Sequence, residues 1–161
     1  MANMIKVGMA DLNICHSPDA ITTLGLGSCV GVALYDKTTQ IAGLVHVMLP
    51  DSTKVRQNQN KAKFADTGID QLIQMLVKAG AKRQMLTAKI AGGAQMFAFS
   101  SNNDMLKVGQ RNVEAVKAKL SSLGIRILAE DTGLNFGRTV EFYPETGDFV
   151  IKAVGKSVRT I

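Results

Sequence analysis

Two apolar segments joined by a polar turn are the clearest pattern in the first third of the chain. Val30–Tyr35 reads as a strand, Asp36–Gln40 as a polar turn, and Ile41–Leu49 as a returning strand. Pro50 ends the second strand because proline cannot donate to a β-ladder. Since both strands are apolar on both faces, the hairpin is predicted to lie centrally in a sheet and to be covered on both sides.

Helical periodicity follows in two later segments. The first begins near Ala65 and is followed by Gly80, where a glycine commonly ends a helix. The second covers Gln110 to Leu123 and is followed by Gly124. The positions predicted to face the core are Ala65, Ile69, Leu72, Ile73 and Leu76 in the first helix, and Val113, Val116, Leu120 and Leu123 in the second.

The remaining elements decide the fold class. Strands are predicted near Ala88–Ala91, at Ile125–Ala129, and in a final hairpin of Thr139–Tyr143 and Phe149–Val154. Asp51–Lys63 is polar and aperiodic, which indicates a surface loop. The order of strands, helix, strand, helix and strands predicts an α+β (mixed α/β) fold, in which helices pack on β-sheets. Strict βαβ alternation is absent, which disfavours a doubly wound parallel sheet.

Length and composition narrow the class of protein. The 161 residues contain no repeat or linker, so residues 1–161 are predicted to form a single domain. No apolar run is long enough for a membrane span and no signal peptide is recognisable, so we expect a cytoplasmic protein without membrane insertion. The net charge of +6 suits an anionic partner, but an aromatic content of 5% is low for base stacking, and no nucleic-acid partner is predicted.

One cysteine and one histidine form a candidate catalytic pair. Cys29 lies in a glycine-rich segment just before the first predicted strand, where successive backbone N–H groups can converge on an oxyanion. A free thiol needs a neighbouring base to be a useful nucleophile, and His46 on the next strand can supply one because hairpin partners lie about 5 Å apart. The alternative is structural: Cys29 is a small core residue, and His46 a buried histidine with its hydrogen bonds satisfied.

A metal site is a weaker interpretation of the same residues. Cys15 and His16 would complete a Cys₂His₂ set with Cys29 and His46, which zinc accepts tetrahedrally. The spacings of known zinc motifs are absent, and adjacent residues on a strand point to opposite faces. Neither a metal nor a cofactor is therefore predicted.

Five blocks of sequence follow one another along the chain: Val7–Asp11, Thr23–Val30 together with His46–Pro50, Lys89–Ala94, Gly109–Asn112, and Asp131–Gly133 with Gly137 and Arg138. In this order they resemble the chemoreceptor glutamine deamidase (CheD) family. The departures are Leu134, where the family usually has glycine, and Ala91, where it commonly has an aromatic residue.

This resemblance implies a cysteine hydrolase fold related to deamidating bacterial toxins, with a Cys-His-Thr triad. Carried over by position, Cys29 is the nucleophile, His46 the general base, and Thr23 the residue that orients the imidazole, with Thr22 as the adjacent competitor. The implied reaction converts receptor glutamines to glutamates through a thioester on Cys29, which tunes chemotactic adaptation. Backbone donors around Gly27–Cys29 would hold the oxyanion.

The resemblance also implies partners. The substrates would be methyl-accepting chemotaxis receptors, and a CheC-type phosphatase would be a second partner. Lys54–Lys63 and Gln95–Phe99 are candidate contact segments, with a solvated loop and a buried strand end as their alternative interpretations. A different function remains open, in which the chain is a non-catalytic regulatory module that binds CheC and receptors. A zinc-stabilised nucleic-acid binder ranks a distant third.

Overall fold

The computed structural model describes residues 2–96 and 107–161 and confirms the α+β class. Within these ranges the chain forms ten strands and two α-helices, together with three short 3₁₀-helices. The helices are α1 (Ala65–Lys78) and α2 (Val108–Ser122). The strands are β1 (Met4–Val7), β2 (Leu12–His16), β3 (Ala20–Leu26), β4 (Val30–Asp36), β5 (Ile41–Val47), β6 (Thr87–Gly92), β7 (Arg126–Thr132), β8 (Arg138–Tyr143), β9 (Asp148–Lys152) and β10 (Arg159–Thr160).

The strands form two five-stranded sheets. The first sheet has the order β1-β3-β8-β9-β10, and the second has the order β2-β5-β4-β6-β7. Each sheet has one parallel pair, β1 with β3 and β6 with β7, and its other pairs are antiparallel. The predicted hairpin of β4 and β5 lies inside the second sheet, because β2 and β6 flank it.

The second sheet is the middle layer of three. The side chains on one face, such as Val32 and Val45, pack with the apolar stripes of both helices. Side chains on the other face, such as Ala33 and Leu44, pack with residues of the first sheet, including Val140 and Phe142. This arrangement confirms that the hairpin is covered on both sides, once by helices and once by a sheet.

The opening segment forms three strands that the sequence pattern did not predict. Met4–Val7 and Leu12–His16 each contain only one buried residue, so they lack the apolar alternation that marks a strand. Ala20–Leu26 is largely buried, but two of its buried positions are threonines, Thr22 and Thr23. The predicted loop between Asp51 and Lys63 contains two 3₁₀ turns, and most of its residues are exposed.

The predicted helix ends are confirmed. Gly80 and Gly124 follow α1 and α2 with φ of +114° and +71°, values that glycine adopts without strain. In each case the next residue donates its N–H back to the helix, from Ala81 to Leu76 and from Ile125 to Leu120. Of the described helices, none is both long and apolar enough to cross a membrane.

A buried ion pair joins the two sheets. Arg138 on β8 donates from Nε to Asp131 on β7 at 2.7 Å, and its side chain has no exposed area. Arg138 also donates to the carbonyl of Gly133 at 3.1 Å, and its guanidinium lies 4.4 Å from the ring centroid of Phe136. Because Arg138 is paired in register with Leu26, this ion pair lies beside the turn that leads to Cys29.

Candidate active site

Cys29 and His46 lie on the same face of the second sheet, at the end of the β4–β5 hairpin. His46 pairs in register with Gly31, not with Cys29, so the cysteine and the histidine are diagonal neighbours. His46 lies on the next strand, as expected, and is offset from Cys29 by two residues, so the spacing of about 5 Å between directly paired residues does not apply to this pair. Diagonal Cα atoms on adjacent strands are about 7–8 Å apart, and long side chains still meet across that gap. Gly31 has no side chain, and the Leu26 side chain lies 3.1 Å from where a Cβ of residue 31 would stand.

Thr23 reaches the histidine from the other sheet. Its Oγ1 lies 2.8 Å from His46 Nδ1 and donates its proton to the carbonyl of Val7, also at 2.8 Å. Because that proton is used on Val7, Oγ1 accepts from His46, and the ring proton therefore sits on Nδ1. Both side chains are buried, with exposures of 1% for Thr23 and 0% for His46. This contact holds the imidazole in one tautomer and one orientation.

The two adjacent threonines are clearly distinguished. Thr22 Oγ1 donates to the carbonyl of Val140 on β8 at 2.7 Å, so its hydrogen bond lies within the first sheet. Thr23 alone of the pair contacts His46. Thr22 therefore provides a matched reference position for Thr23.

The tautomer leaves His46 Nε2 with a free lone pair. This buried atom has no hydrogen-bond partner within residues 2–96 and 107–161. Cys29 Sγ therefore makes no hydrogen bond to Nε2. In enzymes without bound substrate, catalytic hydrogen bonds are often long and tighten when the substrate binds.

Burial keeps both groups neutral. It raises the pKa of the Cys29 thiol above its ordinary value and lowers the pKa of the His46 imidazole below its ordinary value. The free protein therefore holds a thiol and a neutral base, not a thiolate and an imidazolium. A neutral imidazole can accept a proton at neutral pH, and a neutral thiol becomes a strong nucleophile only when it loses its proton.

The loop around Cys29 is hydrogen-bonded to the glycine pair Gly92 and Gly93 at the end of β6 and to the residue after it. Gly93 donates its N–H to the carbonyl of Cys29 and Ala94 donates to that of Gly27, both at 2.8 Å. A Cβ at Gly92 would collide with the Cys29 carbonyl, so only glycine permits this approach. The N–H of Gly27 donates to Gly25 at 3.1 Å.

The hydrogen bond from Gly27 to Gly25 reduces the number of backbone N–H groups at Gly27–Cys29 that are available to an oxyanion. Because the N–H of Gly27 is already used within its own turn, it is a poor candidate for an oxyanion. In the described part of the chain, the N–H groups of Ser28 and Cys29 donate to no backbone carbonyl outside the strands. These two amides therefore remain the candidates for holding a developing negative charge.

Asn112 on α2 is a buried polar residue that ends the matching block Gly109–Asn112 and to which the sequence analysis gave no role. Its side-chain amide donates to the carbonyls of Ser28 and Met48, both at 2.9 Å. A signal for it exists in the sequence, because Asn112 precedes Val116 and Leu120 at spacings of four residues and lies on the same buried helix face. A polar side chain in an apolar stripe must find buried partners.

The second cysteine and histidine lie apart from this site. Cys15 pairs in register with Ala42, four residues from His46, which is about 13 Å along the strand. Burial and the nearby Asp19 raise the pKa of the Cys15 thiol to about 12. In the described ranges, no three metal-ligating side chains come together.

The candidate contact segments border the site to different extents. Met96 is exposed, and its side chain lies against Gly27, 3.2 Å from where a Cβ would stand. Gln95 is also exposed, whereas residues 97–99 of this segment lie outside the described residues. The basic side chains of Lys54, Arg56 and Lys61 are exposed on the segment after β5.

Comparison with known proteins gives consistent similarities along the whole chain. Residues 48–153 match the family model described as CheD chemotactic sensory transduction. The chain is 67% identical over 161 residues to "Probable chemoreceptor glutamine deamidase CheD" of Lachnoclostridium phytofermentans, with both proteins covered completely. It is 56% identical over 162 residues to "Chemoreceptor glutamine deamidase CheD" of Halalkalibacterium halodurans, again with complete coverage. The protein of that name from Bacillus subtilis is 52% identical, with 99% of this chain and 97% of the relative covered.

Proposed function

The chain belongs to the CheD family, and on that premise we propose that it hydrolyses the side-chain amides of specific glutamines in chemotaxis receptors to glutamates. In this proposal Cys29 is the nucleophile, His46 is the general base, and Thr23 orients the imidazole. The relatives' names supply the reaction and the substrate class. The observation that carries the residue roles is the buried Thr23–His46 hydrogen bond, which leaves Nε2 of a neutral imidazole free on the face that also bears Cys29.

Acylation is the first half of the proposed reaction. His46 Nε2 accepts the thiol proton as Cys29 Sγ attacks the amide carbon of the glutamine. The carbonyl oxygen becomes an oxyanion, which we expect the N–H groups of Ser28 and Cys29 to bind. His46 then returns the proton to the amide nitrogen, the C–N bond breaks, and ammonia leaves a thioester on Cys29.

Deacylation is the second half and uses the same imidazole. His46 Nε2, neutral again, removes a proton from water as the water attacks the thioester carbon. The C–S bond breaks, Cys29 Sγ recovers a proton from His46, and the receptor carries glutamate. Throughout both steps Thr23 holds the proton on Nδ1, so that Nε2 is always the atom that exchanges protons.

A neutral resting pair suits this sequence of proton transfers. Because burial lowers the pKa of His46, the base is unprotonated at cytoplasmic pH and ready to accept. Because burial raises the pKa of Cys29, the thiol resists oxidation and adventitious attack until a substrate is in place. The cost is that thiolate formation must be coupled to substrate binding.

The test is peptide-resolved mass spectrometry of chemotaxis receptors from the same genome after incubation with wild-type protein and variants. The wild type is expected to convert particular glutamines to glutamates, and Cys29→Ala is expected to convert none. Cys15→Ala is the matched control, because Cys15 is also a buried free thiol but lies away from the site. Conversion by Cys29→Ala, or its loss in folded Cys15→Ala, would contradict the assignment.

The CheC-type phosphatase remains a prediction as a second partner. The exposed basic residues between Lys54 and Lys63 and the exposed Gln95 and Met96 are the surfaces we expect it and the receptors to contact. A charge-reversing change at Lys61 is expected to weaken complex formation at low salt, because complementary charge chiefly raises the rate of encounter. Binding by titration calorimetry at two salt concentrations measures this.

A further inference from the structure

One side chain ties together the two strands that carry Cys29 and His46. Asn112 on α2 is completely buried, and both protons of its amide nitrogen are used, one on the carbonyl of Ser28 and one on that of Met48, each at 2.9 Å. Ser28 directly precedes Cys29, and Met48 follows His46 by two residues. The contact therefore spans the open end of the hairpin, next to both groups.

The position of this amide follows from where the β-ladder stops. The pairing of β4 with β5 ends at Val30 opposite Val47, so backbone hydrogen bonds no longer set the strand separation beyond that pair. Ser28 and Met48 lie just past this end, where each segment is tied to other neighbours, Met48 to Lys63 and the Cys29 loop to Gly93 and Ala94, and the Asn112 amide joins the two segments to each other. An uncharged amide nitrogen has two donors on one atom, which lets a single side chain bridge two carbonyls.

The orientation of the amide is fixed by its partners. If the group were rotated by half a turn, Oδ1 would face two carbonyl oxygens, which repel it. In the orientation observed, Oδ1 is buried and has no hydrogen-bond partner among the described residues. A buried acceptor without a partner is unfavourable, so the gain of this arrangement lies in the two bonds that the nitrogen makes.

The helix that carries Asn112 is itself held closely against the active-site loop. A Cβ at Gly109, one turn earlier on α2, would collide with the carbonyls of Gly93 and Ala94. Those two residues donate their N–H groups to the carbonyls of Cys29 and Gly27. The helix start, the glycine pair and the Cys29 loop are therefore in direct contact, and Asn112 extends this contact to the His46 strand.

Resting on the proposed deamidase function, we propose that Asn112 is a positioning residue whose amide sets the separation of the Cys29 loop from the His46 strand. Its amide nitrogen donates to backbone carbonyls and makes no hydrogen bond to the thiol or the imidazole among the described residues. Its effect on the reaction is exerted through the backbone at Ser28 and Met48, which determines how far the thiol proton must travel to Nε2. Misplacement of reacting groups by about 1 Å can lower a rate by about 10²-fold.

The test compares Asn112→Ala and Asn112→Asp with Val116→Ala. The alanine removes both donors, and the isosteric aspartate places an acceptor against the two carbonyls. Val116 is equally buried one turn further along α2, in the core between the helices and the second sheet, so its truncation destabilises the protein without breaking the bridge. With receptor substrate, we expect kcat to fall about 10²-fold in both Asn112 variants at nearly unchanged KM. In Val116→Ala, kcat should stay within about two-fold of wild type at temperatures where the chain is folded.

A second readout does not require deamidase activity. Cys15 and Cys29 are both buried free thiols in one molecule, so global unfolding exposes both to iodoacetamide, whereas release of the Cys29 loop exposes Cys29 alone. Peptide-resolved mass spectrometry is expected to show the ratio of Cys29 to Cys15 alkylation rates rising about tenfold in Asn112→Ala. The ratio should be unchanged in Val116→Ala.

These outcomes separate the inference from the proposed function. If wild-type protein converts no receptor glutamine, the proposed function fails, and the alkylation ratio still tests the positioning by Asn112. If wild-type protein is active and folded Asn112→Ala retains its kcat, or the ratio does not change, the inference is wrong. An Asn112→Ala chain that does not fold would also overturn it, because the amide would then serve the fold as a whole.

Discussion

The hydrogen bond between Thr23 and His46 yields the sharpest quantitative prediction. Thr23→Val keeps the shape of the side chain and removes the oxygen that accepts from Nδ1 and donates to Val7. The buried Nδ1–H then has no partner, a loss of about 1–3 kcal/mol. If the transition state for proton transfer at Nε2 loses this stabilisation, kcat decreases about 5- to 160-fold, since each 1.36 kcal/mol changes a rate tenfold.

Thr22→Val is the matched control for this prediction. Its hydroxyl is also buried and donates to a backbone carbonyl, that of Val140, so its removal carries a similar penalty in stability. It makes no contact with His46, and kcat should therefore remain within about two-fold of wild type. Thr23→Ser retains the oxygen and should recover most of the activity lost in Thr23→Val.

The assay is initial-rate conversion of receptor glutamine, followed by ammonia release and checked by peptide mass spectrometry. KM should change little in Thr23→Val, because the threonine is 1% exposed and lies behind the imidazole. Equal losses of kcat in Thr22→Val and Thr23→Val would show that the first sheet is simply weakened. Wild-type kcat in Thr23→Val would refute the orienting role directly.

Three further outcomes follow from burial, backbone conformation and charge. Because burial lowers the pKa of His46, unfolded chains bind a proton on this imidazole below about pH 6.5, and folded chains do not. Urea titrations should therefore show the free energy of unfolding decreasing as the pH is lowered below about 6.5. His46→Gln should reduce this dependence of the free energy of unfolding on pH. Leu134 is exposed and has φ of +61°, a left-handed conformation that strains any residue with a Cβ. Leu134→Gly should therefore raise the free energy of unfolding by about 0.5–1 kcal/mol, and a decrease would contradict this argument. Arg138→Met leaves the Asp131 carboxylate buried with only Arg159 as a charged partner, so urea unfolding should show a loss of about 3 kcal/mol, and a neutral effect would mean the pair is dispensable.

The parts of the fold that the sequence predicts are those set by local pattern. Apolar periodicity places both helices, glycines mark their ends, and the continuous apolar runs identify the central hairpin. The first three strands are missed because pairing with strands that are distant in sequence stabilises them, while their own sequences lack a clear alternation of apolar and polar residues. β1 pairs with β3 in parallel, and β2 pairs with the outer side of β5, so neither has a hairpin partner next to it in sequence.

In the candidate site, too, local sequence pattern identifies some residues, and others depend on how distant segments pack. Cys29 and His46 can be selected from residue type, glycine context and the predicted hairpin. The role of Thr23 came from family resemblance, because its contact with His46 depends on how the two sheets pack together. Asn112 has a signal in its helical spacing, but its two acceptors come from segments 84 and 64 residues away in sequence. No local pattern predicts which carbonyls a buried amide will meet.

The acyl-enzyme on Cys29 is the central claim, and trapping with hydroxylamine tests it most directly. Hydroxylamine attacks a thioester carbon, releases the thiol, and leaves a hydroxamate on the receptor side chain in place of glutamate. With wild-type protein, peptide mass spectrometry should find hydroxamates at the same glutamines that are otherwise deamidated, and none with Cys29→Ala. Conversion to glutamate alone, undiminished at saturating hydroxylamine, would show that water attacks the amide directly and would contradict the mechanism.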